Sequence, residues 1–335
     1  MSTKFLYVTD CHNRSEKDLP KSRSDNYYKS VLAKQEEIGE IIEKRNVQCL
    51  LFGGDLFHHF DPPMGLVNDV AAIWRKYKVN SIIGVIGSHD YNGYQVATLR
   101  RTGVGNFLTH DMWKLVGNDA QELFPKWLAY ENVWITGTQH SAGLADKPEN
   151  FATAIQPEST IPHLIIQMVH GDLFPTHCVW PHQKIDDIHP YITADIVLSG
   201  HIHSGWLSPI HRTNLNASTK TTMYINPGSI GRTSIGKVRP IRVVLITVED
   251  ASVDIEYITL KNVIEDPFIE KSDIAEGSPI TDFSQLMQLI STLELKQTDF
   301  KAHIPKIVEE ICGDSPYVKI VMDRVFEVLD QQKEH

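Results

Sequence analysis

The chain has 335 residues, 41% of them hydrophobic and 22% charged, enough apolar content to bury a core and too little charge for wholesale disorder. Its 32 basic and 42 acidic residues give a formal net charge of −10, which excludes a protein that holds nucleic acid by bulk charge alone. A nuclease stays open, because bound divalent cations add positive charge locally.

At this length one large domain with a smaller part is expected. Cys11, Cys49, Cys178 and Cys312 lie at no CxxC spacing, so neither a zinc knuckle nor a disulfide framework is indicated. Strand-like sequence begins at Lys4, with no charged leader, and no apolar run nears the roughly 20 residues of a membrane span. A cytoplasmic, reducing setting without a membrane partner is the expectation. The sixteen histidines are the compositional oddity, and they direct attention to metal ligands.

Phe5-Leu6-Tyr7-Val8 reads as a buried strand, and residues 27–45 as a helix with Val31, Ile38, Ile41 and Ile42 on one face. Cys49 to Phe52 is a second strand, ended by Gly53-Gly54. A helix over about 65–77 leads to a strand over 81–86, and further strands are expected at 163–169 and 196–198. Strands alternating with helices predict an α/β layered core. Residues 223–225, 241–248 and 253–260 read as consecutive, antiparallel strands, a small cap near the end of the domain. A domain over 1–262, a polar linker over 263–281 and a helical tail over 282–335 are expected. The tail carries Val318, Val321, Val325, Val328 and Leu329 at helical spacing, which suits packing within its own domain or docking to a partner.

Five short motifs follow the predicted strands: Asp10-Cys11-His12, Gly53-Gly54-Asp55, Gly87-Ser88-His89-Asp90, His170-Gly171-Asp172 and Gly200-His201-Ile202-His203. In open α/β sheets ligands bind at the carboxyl ends of strands. Mixed carboxylate and imidazole donors suit Mn²⁺, Fe²⁺ or Zn²⁺ better than Mg²⁺ or Ca²⁺. If the backbone stays extended, Asp10 with His12 and His201 with His203 each point two side chains to one face. Six ligands exceed the needs of one tetrahedral ion and suit two ions, with Asp55 the best bridging carboxylate.

The order DxH, GD, GxHD, H, GHxH resembles that of the calcineurin-like metallophosphoesterases. Gly54-Asp55-Leu56-Phe57 with Asp61-Pro62-Pro63, and Asn226-Pro227-Gly228-Ser229 with Arg232-Thr233-Ser234, are similar to the SbcD-type DNA repair nucleases. The resemblance spans about residues 4–260. It implies a layered β-sandwich core flanked by helices. It also implies two divalent ions, Mn²⁺ foremost, held by Asp10, His12, Asp55 and His203 on one side and by Asp55, His170 and His201 on the other. His89 would be the acid at the leaving oxygen, with Asp90 orienting it. The implied activity is phosphodiester hydrolysis on DNA as an exonuclease, with endonuclease capacity open. An SbcC-type SMC-like ATPase and a second copy of the chain would be its partners, and Ser229 and Arg232 candidate substrate contacts. The family's third motif usually reads GNH, so Ser88 replaces an Asn ligand with a shorter, poorer one. A phosphodiesterase or phosphatase on a smaller substrate, or a weakly active scaffold, are the rival readings.

Other residues carry two readings each. His58 and His59 are solvated loop residues or approach the site and its phosphate. His140 caps an apolar run or takes a metal role, and His177, Cys178 and His182 form a loop without known metal spacing or supply ligands. Asp172 forms a turn or holds a neighbouring histidine. Arg232 sits in a surface loop or grips phosphate. Tyr91 and Tyr94 pack in the core or stack on bases.

Overall fold

The computed structural model describes residues 2–20, 23–79, 81–93, 95–117, 124–154, 164–176, 182–213, 221–233, 239–249 and 252–263. The linker and helical tail expected beyond residue 263 lie outside these residues, as do Tyr94, His177, Cys178, Ser234 and Cys312.

The strands are β1 (Ser2–Val8), β2 (Cys49–Phe52), β3 (Ile82–Gly84), β4 (Trp113–Leu115), β5 (Trp127–Tyr130), β6 (Val133–Thr138), β7 (Leu164–His170), β8 (Leu173–Phe174), β9 (Gln183–Lys184), β10 (Ile196–Gly200), β11 (Ile210–Thr213), β12 (Thr221–Ile225), β13 (Arg242–Glu249) and β14 (Ser252–Thr259). The α-helices are α1 (Tyr27–Arg45), α2 (Met64–Lys76), α3 (Gly103–Thr109) and the single turn α4 (Ile185–Ile188). One sheet runs β14-β13-β1-β2-β3-β4 and the other β11-β12-β10-β7-β6-β5. Within them β1 to β4 are parallel, and so are β6, β7, β10 and β12.

Helix α1 starts where the Asn26 side chain accepts the Lys29 N–H, and it ends at Asn46, whose φ of 52° stops the helix. Its buried residues Val31, Gln35, Ile38 and Ile42 recur at helical spacing. Alternation along the strands builds the layers. Phe5, Tyr7, Leu51, Val244 and Ile246 from one sheet meet Ile135, Ile166, Met168, Leu198 and Ile225 from the other. Their neighbours Leu6, Val8, Leu50 and Phe52 face outward onto Ile38, Ile42, Val70 and Trp74 of α1 and α2. On the far side Ile165, Val169 and Val197 pack with Phe151, Ile185 and Ile188. The fold is therefore a helix-flanked β-sandwich, as the α/β reading and the resemblance require.

The late strands depart from the sequence reading. They form no separate cap. β13 and β14 pair antiparallel and extend the first sheet through β1, whereas β12 pairs parallel with β10 in the second. The reason is burial on both faces: β13 offers Val243 and Leu245 to the helix side and Val244 and Ile246 to the sandwich interior, so it is a core strand. Val96–Arg101 forms a 3₁₀ segment. No helix among the described residues is long and apolar enough to cross a membrane.

Candidate active site

The carboxyl ends of β1, β2, β3, β7 and β10 converge, and the loops leaving β1 and β2 stay zipped together. Asp10 N–H donates to Gly54 O at 3.0 Å, His12 N–H to Asp55 O at 3.0 Å, and His58 N–H to Asn13 O at 3.0 Å. This backbone is not extended. Asp10, His12, Asp55 and His201 all adopt left-handed φ, at 52°, 44°, 56° and 79°. Such conformations cost of order 1–3 kcal/mol each for residues with a Cβ. Asp10 and His12 therefore share a face because each is kinked, and not through the alternation of a strand. Two glycines make room: a Cβ on Gly87 would fall 2.2 Å from Asp55 Oδ1, and one on Gly54, with φ of +96°, would fall 2.5 Å from His170 Nδ1.

Three groups of donor atoms result, each within 4.8 Å of one another: Asp10 with His12 and His203, Asp55 with His170 and His201, and His12 with His58 and His89, of which the first two contain a carboxylate. Asp55 reaches both: its Oδ2 lies 3.7 Å from His12 Nε2 and 3.3 Å from His170 Nε2. His12 Nε2 and His203 Nε2 face each other at 2.8 Å. His170 Nδ1 lies 2.6 Å from the Gly53 carbonyl, which only accepts, so Nδ1 carries a proton and Nε2 is left facing Asp55. That Nε2 is buried and makes no hydrogen bond, which is the environment a cation ligand needs. The donor set thus fits two divalent ions.

The charges of this cluster reinforce one another. Burial would raise both Asp10 and Asp55; facing imidazoles reverse it, His12 foremost for Asp10, which is held at about 2, and His170 for Asp55, which lies well below the usual range. Burial would lower His170, but Asp55 raises it to about 10, so an ion at Nε2 would take the place of a proton.

Ser88 Oγ lies 3.3 Å from Asp55 Oδ2 and donates to it. His89 packs edge-on to His12 with ring centroids 4.9 Å apart. Its Nδ1 is 2.6 Å from the His58 carbonyl, so the proton on Nδ1 leaves Nε2 as the nitrogen free for chemistry. Asp90 does not orient that ring. Its carboxylate accepts the N–H groups of Asp55 at 2.8 Å, Gly87 at 2.8 Å and Leu56 at 3.1 Å, and so fixes the loop that carries Asp55. Burial, then the Asp55 charge, pushes Asp90 up to about 7 against those donors.

His58 stacks on His89 at 4.8 Å, and the Arg14 guanidinium reaches its Nε2 at 2.6 Å. Arginine only donates, so His58 is neutral, with its proton on Nδ1. Burial, then Arg14, lowers it to about 2. Its Nδ1 is buried and makes no hydrogen bond. The structure thus places His58 at the site, in one donor group with His12 and His89, while His59 pairs with Asp18 at 2.9 Å on the surface.

His140, for which a cap is the first reading and a metal role the second, has its ring 5.1 Å from that of His201 and 5.8 Å from that of His170. Gln139 brings it there: Gln139 accepts Ile86 N–H at 2.6 Å and donates to Val116 O at 2.7 Å, tying the end of β6 to the segments that follow β3 and β4. The readable signal was an apolar run ending in Thr-Gln-His, a sixth strand end. Asp172 Oδ1 stands 3.4 Å from His201 Nε2, in the orienting place. Ser229 donates its N–H to His203 O at 3.1 Å, and its hydroxyl is committed to Gly231 O at 2.9 Å. The Arg232 carbonyl accepts Arg23 Nη1 at 2.6 Å. Tyr91 is buried and donates to the His140 carbonyl, the core reading, and His182 packs on Phe174.

Residues 3–205 match the model of the calcineurin-like phosphoesterase family. The chain belongs to this family. Its members are metal-dependent phosphoesterases, and the two His/Asp donor groups are where this chain would hold metal. No curated protein sequence is significantly similar to it. Among solved structures it is similar to a dimetal phosphatase from Danio rerio (12% identity, 78% of this chain and 96% of that one, TM-score 0.49). It is also similar to a purple acid phosphatase from yellow lupin seeds (14%, 77% and 52%, TM-score 0.47) and to a calcineurin-like phosphoesterase from Bacillus subtilis (13%, 77% and 90%, TM-score 0.44). The family match, and not these likenesses, carries the assignment.

Proposed function

We propose that the chain is an SbcD-type nuclease that hydrolyses phosphodiester bonds in DNA. The observation that carries phosphodiester hydrolysis is the reach of one carboxylate, Asp55, into two separate donor groups. The extension to DNA is supported by the Gly54-Asp55-Leu56-Phe57 and Asn226-Pro227-Gly228-Ser229 stretches and by the entry of His58, directly after the first of them, into the site.

Asp10, His12, Asp55 and His203 would hold one divalent ion and Asp55, His170 and His201 the other, with Mn²⁺ the metal best matched by this mix of donors. When bound, such a pair supplies Lewis acidity and a nucleophile at neutral pH. The side chains do the rest. Asp90 holds the Asp55 backbone in its strained conformation. His89, aligned by the His58 carbonyl on Nδ1, turns Nε2 toward the departing oxygen and serves as the acid there only in its imidazolium form, taking that second proton from solvent, while burial holds its pKa below the usual histidine value. His58 offers its Nδ1–H to a phosphoryl oxygen, which Arg14 enforces by occupying Nε2. No covalent enzyme intermediate is needed. In this reading an SbcC-type ATPase docks on the segment 282–335, a second copy pairs through the phosphoesterase domain, and the complex works in the cytoplasm.

The test is hydrolysis of linear DNA with Mn²⁺, beside a generic diester. Cleavage of the generic ester without cleavage of DNA, with and without an SbcC-type ATPase, rejects the DNA reading in favour of a smaller substrate. Deleting the residues after Pro279 is expected to abolish co-purification of the ATPase and to spare ester hydrolysis.

A further inference from the structure

Beside the second donor group lies a cavity of about 210 Å³, walled by His140 and the 141–146 loop on one side and by Gly171 and Asp172 on the other. It sits at the strand ends of β6 and β7, where the ring of its wall residue His140 lies 5.1 Å from that of His201 and 5.8 Å from that of His170. The loop is tied down from behind. Asn150 Nδ2 donates to Gly143 O at 3.1 Å and Leu144 O at 3.3 Å, and Gln183 Nε2 to Ala145 O at 2.7 Å. The cavity is therefore formed before any ligand arrives.

Its walls define what enters. Asp146 and Asp172 are carboxylates, so a second phosphate is repelled. Ser141, the His140 ring and the apolar Ala142, Leu144 and Ala145 complete the lining. A neutral, ring-sized group bearing N–H or O–H donors fits this chemistry. The volume is several times the ~30 Å³ share of one water and below the ~300 Å³ of a whole ligand pocket, which suits one such group and not a dinucleotide. The His140 wall adjoins the rings of His201 and His170, so a substituent that stays on a phosphorus held at that donor group would reach the cavity.

We propose that this cavity binds the nucleoside that remains attached to the phosphate after cleavage. The idea rests on the phosphodiester reading above, and binding separates the two. The Mn²⁺-loaded protein is titrated calorimetrically with thymidine 5′-monophosphate and with methyl phosphate. The nucleotide is expected to bind at least about tenfold more tightly, and Ala142→Phe and Ala145→Phe, which fill the cavity, to remove that preference. Asp146→Asn, which keeps the shape, is expected to weaken it by a few-fold. Equal affinity for the two ligands in the wild type, or a preference that survives both filled variants, overturns the proposal. Hydrolysis of linear DNA is scored separately. A protein with the nucleoside preference that cuts no DNA keeps the pocket and loses the nuclease, and one that cuts DNA without the preference does the reverse.

Discussion

On the His12 side of the site the neighbours are His58, His89 and the Arg14 guanidinium; on the His170 side they are His140, Ser88 and the Asp172 carboxylate. Both sides hold a group of one carboxylate and two imidazoles, yet their surroundings differ in kind. On the first, one ring nitrogen each of His58 and His89 is assigned, His58 Nε2 by the Arg14 guanidinium and His89 Nδ1 by the His58 carbonyl. The second is richer in carboxylate, opens into a cavity, and carries the one departure from the family's usual ligand pattern. In the proposed reading the two donor groups would divide the labour, with proton delivery on one flank and accommodation of the substrate on the other.

The largest effect is expected where the comparison has its hinge. Asp55→Asn removes the charge both donor groups use, so metal analysis should show both ions lost and hydrolysis at background. A variant that keeps both ions breaks the shared-carboxylate reading. His89→Ala is expected to retain both ions and to lose about 10²–10⁴ in turnover, the usual contribution of a general acid. Loss of metal in that variant would place His89 among the ligands and erase the division between flanks.

Arg14→Leu sharpens the comparison further, with an expected loss of about tenfold, the size of one hydrogen bond to a charged group. Its decisive readout is nitrogen-15 NMR. His58 in the wild type should be the Nδ1–H tautomer, and the variant should show a mixture of tautomers. A wild-type His58 protonated on Nε2 contradicts the geometry at its source.

Much of this architecture was legible in the chain. β1, α1, β2 and the five strand-end motifs were readable because each is local: a short apolar run, a helical stripe, a glycine where the backbone turns. What escaped depends on pairing over distance. That β13 enters one sheet and β12 the other is decided by which faces are buried, and an apolar run does not specify that. His140 reaches the site only because β6 pairs with β7 and Gln139 bridges to Ile86 and Val116. Asp90 looked like a partner for His89 because they are adjacent, but a left-handed Asp55 leaves backbone N–H groups that need an acceptor, and Asp90 is in reach. The kinked backbone at four ligand residues is likewise invisible in sequence, since Asp and His at those positions give no glycine signal.

The smallest expected effect concerns Ser88, and it bears on whether the second flank is weak or merely different. The hydroxyl lies 3.3 Å from Asp55 Oδ2 and spends its proton there, so its remaining lone pairs are those of a neutral, short side chain. Asn extends one atom further and ends in a carbonyl oxygen, a stronger dipole toward a cation. The surrounding loop does not oppose the change: Ser88 is half-buried, and the clamp made by Asp90 uses backbone N–H groups that the substitution leaves in place. Ser88→Asn is therefore expected to shift the activity curve to lower Mn²⁺ by a few-fold, with the rate at saturating Mn²⁺ little changed. The second ion should leave more slowly in a chelator chase, a readout independent of turnover. If the curve does not move while the wild type already binds two ions tightly, the other three ligands suffice and Ser88 is a tolerated replacement. If the wild type is inactive at saturating Mn²⁺ and Ser88→Asn restores nothing, the second flank has lost its catalytic use. The symmetry of the two donor groups would then be a relic of the fold.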